Sequence, residues 1–389
     1  MSDNIPIEVQ MDIVRRLSVK SVAQCRTVCK TWRSCIDTMH FTILFVVRMP
    51  STFPYILIYQ DRFKGCVKFI DKNLAVTIPI GSNISFSGLT PVGWSHGLWC
   101  FSFGPIVRHF MGLLWNPSIE KSVRAYVPYF TLGQEYEKRL LGFGVRPDNL
   151  DSIILKISFP FDPKEPWTVH MFTLSSREWR LLENHLLLPQ TFRIKKASQA
   201  NIGRHIDWCG YEKFFSNDGS SYKSYVIVSF DMLSNRFQTL NIPDQLLRRL
   251  PLPFYVSSLG DNLVISGNIQ GDEHCVFCIW VLSLVGETIS SFSNLLSVPS
   301  PIALKLVAFH DHIDPIVEVP SQEGFSATLV LYRMASGDFQ SLGIEEDAGS
   351  FVIKPYCKSL LVQSVDRTVY CRELVYPGLA NTTLNLGHR

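Results

Sequence analysis

Residues 229–237 read SFDMLSNRF, and this stretch decides the fold because two other segments repeat its pattern without gaps. Residues 171–179 read MFTLSSREW, and residues 331–339 read LYRMASGDF. In each copy an aromatic residue is followed seven positions later by a second aromatic, across a polar turn. The pattern predicts a β-hairpin whose second strand opens with a large side chain packed against the first strand.

The hairpin recurs along the chain at a nearly regular interval. Weaker copies occupy residues 114–119 and 279–283, and successive copies start 50 to 58 residues apart. Their anchors are the aromatic residues Trp115, Phe172, Phe230, Trp280 and Tyr332. Residues 97–100, 205–208 and 260–265 form a second recurring element that leads into the units. A period near 50 residues with several short strands is typical of a Kelch-like β-propeller.

Strand-like runs cover most of the chain after residue 40. They are rich in β-branched and aromatic residues and are separated by Gly, Pro, Asn, Asp and Ser clusters. The runs are residues 41–47, 55–59, 153–157, 168–174, 225–232, 262–266, 276–282, 328–334 and 360–365. Only residues 244–250 suggest a helix there. We therefore predict an all-β propeller-like domain of about six blades over residues 41–375, with seven blades as an alternative and a flexible tail at 376–389. Its first and last strands should meet, since an open ring would leave unpaired edges.

The first forty residues have a helical period instead. Residues 5–17 read IPIEVQMDIVRRL, in which Val9, Ile13 and Leu17 form one apolar stripe at intervals of four residues. Ser18 can cap a second helix, and Trp32 and Ile36 continue the pattern into a third. Three short helices cannot bury all these apolar positions against one another, so the pattern predicts a partner surface.

The N-terminal segment resembles the F-box in its plant form. The residues that carry the resemblance are IPIE at 5–8, RLSVKSV at 16–22 and RTVCKTW at 26–32. Ser18 departs from the usual Pro, and Val22 departs from the usual Leu. The resemblance implies an α+β multidomain protein, with a three-helix F-box at residues 1–40 that docks a Skp-type adaptor and through it a cullin scaffold.

The resemblance also implies which residues contact the adaptor. The positions that match family contact positions are Ile5, Pro6, Val9, Ile13, Leu17, Val22, Val28 and Trp32. The alternative is that these residues form only the private core of a small helical cap. Both interpretations can hold for Trp32, because an amphipathic motif has an inner and an outer apolar face.

A second resemblance covers about residues 95–345. The segments GLLWNPS at 112–118, LGFG at 141–144 with Asp148, and VSFD at 228–231 are similar to the F-box-associated domain of plant proteins. Val145 stands where that family usually has Tyr, so this unit is divergent. The resemblance implies a Kelch-type propeller without catalytic machinery.

Composition excludes several classes of protein. Apolar residues make up 46% of the 389 residues, charged residues make up 18%, and the net charge is +3. The chain therefore needs a large core and lacks the strong basic field of a nucleic-acid binder. No apolar run approaches the length of a membrane span. Ten scattered cysteines and an N-terminus unlike a signal peptide predict a cytoplasmic or nuclear protein with reduced thiols.

Candidate metal or nucleotide sites are weak in this sequence. Cys275 and Cys278 have the spacing of half a zinc site, but a second pair is absent, so buried thiols are the preferred interpretation. The cluster at residues 310–314, HDHID, reads as a solvated turn. The glycines at 142 and 144 lack the third Gly of a dinucleotide site. We expect no catalytic residue, metal or cofactor.

A basic segment is the remaining candidate for a binding site. It contains Arg193, Lys195, Lys196 and Arg204. A solvated loop is the preferred interpretation, and contact with an acidic partner surface is the alternative.

The sequence therefore predicts a substrate-recognition subunit of an SCF-type ubiquitin ligase. Its F-box would dock the adaptor and its propeller would bind a protein substrate of unknown identity. The alternatives are a protein-interaction scaffold that leads to no degradation and a propeller-fold enzyme, for which no converging catalytic residues are identified. We expect no contact with nucleic acid or membranes.

Overall fold

The computed structural model describes fifteen segments of the chain. They are residues 5–47, 55–61, 64–70, 74, 76–79, 88–103, 110–127, 136–160, 165–215, 220–270, 275–285, 288–300, 302–355, 358–362 and 368–369. The predicted tail at 376–389 lies outside these residues.

Four helices form an N-terminal helical unit, residues 5–47. They are α1 (Ile7–Val14), α2 (Val19–Cys25), α3 (Lys30–Ile36) and α4 (Met39–Val47). Ser18 caps α2 as predicted, because its Oγ accepts the backbone N–H of Ser21 at 3.2 Å. The predicted strand at residues 41–47 is wrong. Phe41 and Phe45 lie four residues apart on one face of α4, and both are buried among the other helices.

Most of the remaining described chain forms antiparallel sheets whose strands follow one another in the sequence. Four blades take consecutive strands: β8 (Tyr136–Val145) to β11 (Glu178–Leu181), β12 (Phe192–Ile202) to β15 (Arg236–Leu240), β16 (Tyr255–Leu259) to β19 (Thr288–Ser300), and β20 (Lys305–His310) to β23 (Asp338–Asp347). Their middle strands are β9 (Ser152–Pro160), β10 (Thr168–Thr173), β13 (His205–Phe215), β14 (Ser221–Asp231), β17 (Asn262–Gln270), β18 (Cys275–Val285), β21 (Asp314–Pro320) and β22 (Ser326–Arg333). A 3-10 turn (Asn184–Leu186) precedes β12, and the short helix α5 (Asp244–Leu247) precedes β16, where the sequence predicts a helix.

A fifth blade closes the ring with strands from both ends of the β domain. It contains β1 (Tyr55–Asp61), β2 (Lys64–Ile70) and β3 (Val76–Pro79), and β24 (Val352–Pro355) pairs antiparallel with β1. The predicted meeting of the first and last strands is therefore confirmed. The strand that pairs with β1 is formed by residues 352–355 and not by the predicted last run at 360–365.

The prediction of about six blades needs correction. The described residues form five four-stranded blades and one five-stranded sheet. That sheet contains β4 (Leu89–Ser95), β5 (Leu98–Phe103), β6 (Phe110–Asn116) and β7 (Lys121–Val127), and the two-residue strand β25 (Thr368–Val369) adds in parallel to β7. The repeat spacing could not reveal the fifth strand of this sheet, because β25 comes from far along the chain.

The repeated aromatic pairs occupy equivalent places in three blades. Phe172 lies directly opposite Trp179, Phe230 opposite Phe237, and Tyr332 opposite Phe339. Ring centroids are 5.4, 4.9 and 4.9 Å apart, which is the contact range of aromatic pairs. Each pair joins the third and fourth strands of its blade, so the predicted hairpins are confirmed.

A polar network joins the first strands of neighbouring sheets. The amide of Asn201 in β12 donates to the carbonyl oxygens of Trp94 in β4 and Phe143 in β8, at 2.9 and 3.1 Å. Gln199 in β12 accepts the backbone N–H of Phe143 at 3.0 Å. All these residues lie near the carboxyl ends of their strands. The first strands of these sheets therefore run in the same direction.

The β domain consequently has two different ends. The turn end carries the turns between first and second strands and between third and fourth strands. In the β12–β15 blade the N–H of Met232 donates to the carbonyl of Arg204 across these turns, at 2.9 Å. The connection end carries the other loops, where the N–H of Ala348 donates to the carbonyl of Phe325 at 3.0 Å.

Close packing of neighbouring blades explains the glycines of the 141–144 segment. A Cβ at Gly142 would lie 2.7 Å from Trp208, and one at Gly144 would lie 2.5 Å from Met232. Both neighbours belong to the next blade, so a side chain at either position would push the two blades apart. The structure thus gives these glycines a packing role.

Asp207 is a fully buried carboxylate between strands β12 and β14, and it makes stability depend on pH. Burial raises its pKa from 3.8 to about 7. The folded state therefore favours the protonated acid. Its contribution to stability is complete below pH 3.8 and is lost as the pH rises through 7.

We expect Asp207→Asn to raise the melting temperature at pH 8 and to change it little at pH 4. At pH 8 the variant should gain about 4 kcal/mol of folding free energy at most, because one pKa unit corresponds to ~1.4 kcal/mol. Thermal melts of both proteins across this pH range measure the effect. A difference in melting temperature that is the same at every pH would show that folding does not raise the pKa of Asp207.

Candidate functional site

The helical unit has its own apolar core. The core residues are Met11, Val14, Val19, Val22, Ile36, Phe41 and Phe45, with Leu360 from the C-terminal part of the chain. Val14, Val22 and Ile36 are almost completely shielded from solvent. The inner positions of the three predicted helices are therefore satisfied within the chain, with help from α4.

A second set of apolar residues on the same helices faces solvent. Ile13 is 53% exposed, Leu17 is 36% exposed and Val28 is 65% exposed, and Ile5 and Val9 are also exposed. Ile5, Val9, Ile13 and Leu17 follow one another at intervals of four residues along α1 and its flanks. We name Ile5, Val9, Ile13, Leu17 and Val28 the outer stripe. Met39 at the start of α4 is exposed as well.

The three other predicted contact residues have different surroundings. Pro6 is exposed at the N-cap of α1. Val22 is fully buried, so its side chain supports the helices from inside. Trp32 is partly buried, and its indole N–H donates to Oε1 of Gln10 at 2.8 Å. The structure therefore brings six of the eight predicted residues to the surface and uses Val22 and Trp32 in packing.

Two polar contacts fix the helices relative to one another. Gln10, which the sequence analysis missed, also donates to the carbonyl of Ile5 at 2.7 Å and so joins the start of α1 to α3. Arg26 forms two hydrogen bonds with the Asp37 carboxylate, between the ends of α2 and α3. These bonds raise the pKa of Arg26. The outer stripe thus lies on a fixed support.

The helical unit packs against the turn end of the β domain. Leu360 enters its core, and Ile119 in the β6–β7 turn packs at the edge. Asn116 holds the Leu360 segment, because its amide donates to the carbonyl oxygens of Ser359 and Leu361 at 3.0 and 2.8 Å. Its Oδ1 accepts the N–H of Ser118 at 2.9 Å. The Asn-Pro-Ser turn therefore connects the β domain, the C-terminal segment and the helical unit.

The other candidate sites have structural explanations. Cys275 and Cys278 lie three residues apart on β18, so their side chains point to opposite faces of the strand. Asp311 and His312 lie in an exposed turn within a blade, and Asp314 accepts the N–H of Met334 at 2.9 Å. Within the described ranges, no three His, Cys, Asp or Glu side chains are grouped so as to hold a metal ion.

The predicted basic loop is a strand. Arg193 and Lys195 belong to β12, and Arg204 pairs with Asp231 at 3.2 Å on the turn end. Arg193 donates to the carbonyl of Phe192 and lies over the Phe159 ring. No helix in the described part of the chain has the length and hydropathy of a membrane span.

We expect Ser18→Pro, which restores the common family residue, to bind a Skp-type adaptor as well as the wild type does. Ser18 has φ −64°, which suits proline. The lower entropy of the unfolded chain offsets the lost cap, each effect amounting to about 1 kcal/mol. Isothermal titration calorimetry with purified adaptor measures this. Binding weakened tenfold would show that the Ser18 cap is essential for docking.

Comparisons with known proteins agree with this arrangement. The F-box domain model matches residues 2–44, which extends the domain beyond residue 40 and into α4. An F-box/kelch-repeat protein of Arabidopsis thaliana is 23% identical over 377 residues, which are 92% of this chain and 95% of that protein. A probable F-box protein of the same plant is 23% identical over 330 residues, covering 79% and 72% of the two chains.

A TolB structure from Acinetobacter baumannii aligns with a TM-score of 0.41 and 11% identity, covering 81% of this chain and 71% of that chain. The F-box match and the plant relatives carry the assignment, because together they account for both the helical unit and most of the β domain. The chain has an F-box domain at its N-terminus, and its similarity to Arabidopsis F-box proteins over most of its length supports a plant F-box protein with a C-terminal repeat domain.

Proposed function

We propose that this protein is a substrate receptor of an SCF-type ubiquitin ligase. The outer stripe docks a Skp-type adaptor, which links the chain to a cullin, and the β domain binds a protein substrate. The observation that carries the proposal is the exposed apolar stripe on a helical unit whose core is already complete. Exposed apolar side chains gathered on one face of a small domain are typical of an interaction surface.

In the proposed mechanism the protein brings its substrate close to the ubiquitin-conjugating enzyme, which requires no catalytic group in this chain. A substrate held on the β domain has its lysines at high effective concentration near the conjugating enzyme. The packing of Leu360 and Ile119 in the helical unit supports this mechanism. It reduces free rotation between the docking surface and the substrate-binding domain, so the substrate is presented in a defined orientation. We propose that this takes place in the cytoplasm or the nucleus.

Proximity labelling in plant cells tests the proposal. The bait is the full chain, either wild type or with Ile13→Asp and Leu17→Asp, which leave the F-box in place. Deletion of the F-box is unsuitable because it would expose Leu360 and Ile119. Substrates should be labelled by both baits, and their abundance should be lower with the wild type. Labelled proteins whose abundance is equal with both baits would instead indicate a scaffold that leads to no degradation.

A further inference from the structure

The β13–β14 hairpin extends from the connection end of the β domain. Each of its strands has eleven residues, and they remain paired to Phe215 and Ser221. The helical unit packs against the opposite, turn end. A protein bound at this hairpin would therefore lie away from the adaptor-docking surface.

One face of the hairpin carries two lysines in adjacent strands. Lys213 lies directly opposite Lys223 in the register, and like charges in such a pair repel each other. The next pair on this face is Tyr211 and Tyr225, whose ring centroids are 6.0 Å apart. The Lys223 ammonium lies 4.8 Å from the centre of the Tyr211 ring. The register therefore places both lysines where they can contact the same anionic group.

The α5 segment adds positive charge beside this face. Leu246 and Phe254 belong to one apolar cluster, and Leu247 and Tyr225 pack against it. The Phe254 and Tyr225 ring centroids are 6.4 Å apart, so α5 and the tyrosine pair border the same cluster. Arg248 and Arg249 follow directly and are exposed. Asp244 at the start of α5 is the opposing charge on this segment. We name Tyr211, Lys213, Lys223, Arg248 and Arg249 the basic patch.

We propose that the basic patch binds an acidic segment of a partner protein. The proposal rests on the proposed function and names the chemistry of the substrate that the β domain receives. Carboxylates would pair with the four cations, and the tyrosine would supply apolar contact. A single-stranded nucleic acid fits less well, because the ring faces are already used. Lys223 lies over Tyr211, and Phe214 stacks on Tyr222 at 5.0 Å.

Fluorescence anisotropy with the purified full-length protein tests the proposal. The probes are a labelled peptide of Glu, Asp and Tyr, the same peptide with Gln and Asn in place of the acids, and an oligouridine RNA. The variants are Lys223→Glu and Arg249→Glu. Arg236→Glu is the control, because Arg236 is exposed on the same blade but at the turn end.

We expect the wild type and the Arg236 variant to bind the acidic peptide but not its neutral counterpart. Each basic-patch variant should weaken that binding about fivefold, which corresponds to ~1 kcal/mol. Equal peptide binding by all variants, no binding by the wild type, or binding of the RNA instead would overturn the proposal. Adaptor binding by the same variants is measured separately, so failure of F-box docking is distinguishable from failure of this patch.

Discussion

Ile13→Asp combined with Leu17→Asp should abolish binding to a Skp-type adaptor while the melting of the β domain stays unchanged. Both side chains are exposed in the free chain, so aspartate is tolerated there without loss of the helical core. In the complex, each aspartate would be buried in an apolar contact without a counter-ion. That costs several kcal/mol, on the order of 2–4 for each site.

A matched control separates docking from a general effect of negative charge. Gln24→Asp with Ser34→Asp adds the same two charges at exposed positions outside the outer stripe. Pull-down with purified adaptor should retain the control and lose the stripe variant. If the stripe variant binds undiminished, the helical unit is only a cap on the β domain.

Asn116→Ala should release the C-terminal segment and destabilise the helical unit together with the β domain. The side chain is fully buried and makes three hydrogen bonds, to the backbone of Ser118, Ser359 and Leu361. Alanine leaves these three backbone groups without that partner, at a cost of about 3 kcal/mol or more. Denaturant unfolding followed by fluorescence and circular dichroism measures the loss.

Leu360→Ala separates the effect on the helical unit from the effect on the β domain. It removes the buried leucine from the helical core but leaves the hydrogen bonds of Asn116 to the backbone intact. We expect it to lower adaptor affinity and helical-unit stability, with a smaller effect on the β domain. An Asn116→Ala protein as stable as the wild type would show that the Asn-Pro-Ser turn does not hold the C-terminal segment.

Local patterns were sufficient to predict the exposed and buried faces of α1 and the hairpins. The stripe at residues 5, 9, 13 and 17 follows from helical spacing, and the same spacing puts Met11 and Val14 inside. The aromatic pairs, such as Phe230 and Phe237, follow from the fixed geometry of a short turn between two strands. In each case the contacting residues are close together in the sequence.

Long-range contacts and ambiguous apolar runs could not be predicted in this way. Residues 41–47 are apolar except for Thr42, and such a short run has no period that separates a helix from a strand. The hydrogen bonds of Asn116 to residues 359 and 361 join positions more than two hundred residues apart. No local pattern indicates that Leu360 completes the core of the helical unit. The basic patch likewise depends on the register that places Lys213 opposite Lys223.

The mass of the complex formed with purified adaptor and cullin tests the central claim most directly. Size-exclusion chromatography with light scattering is applied to the full chain, a Skp-type adaptor and a cullin N-terminal domain. We expect one particle with one copy of each protein, and the stripe variant should elute separately from the adaptor–cullin pair. Separate elution of the wild-type chain under the same conditions would contradict its assignment as a ubiquitin-ligase receptor.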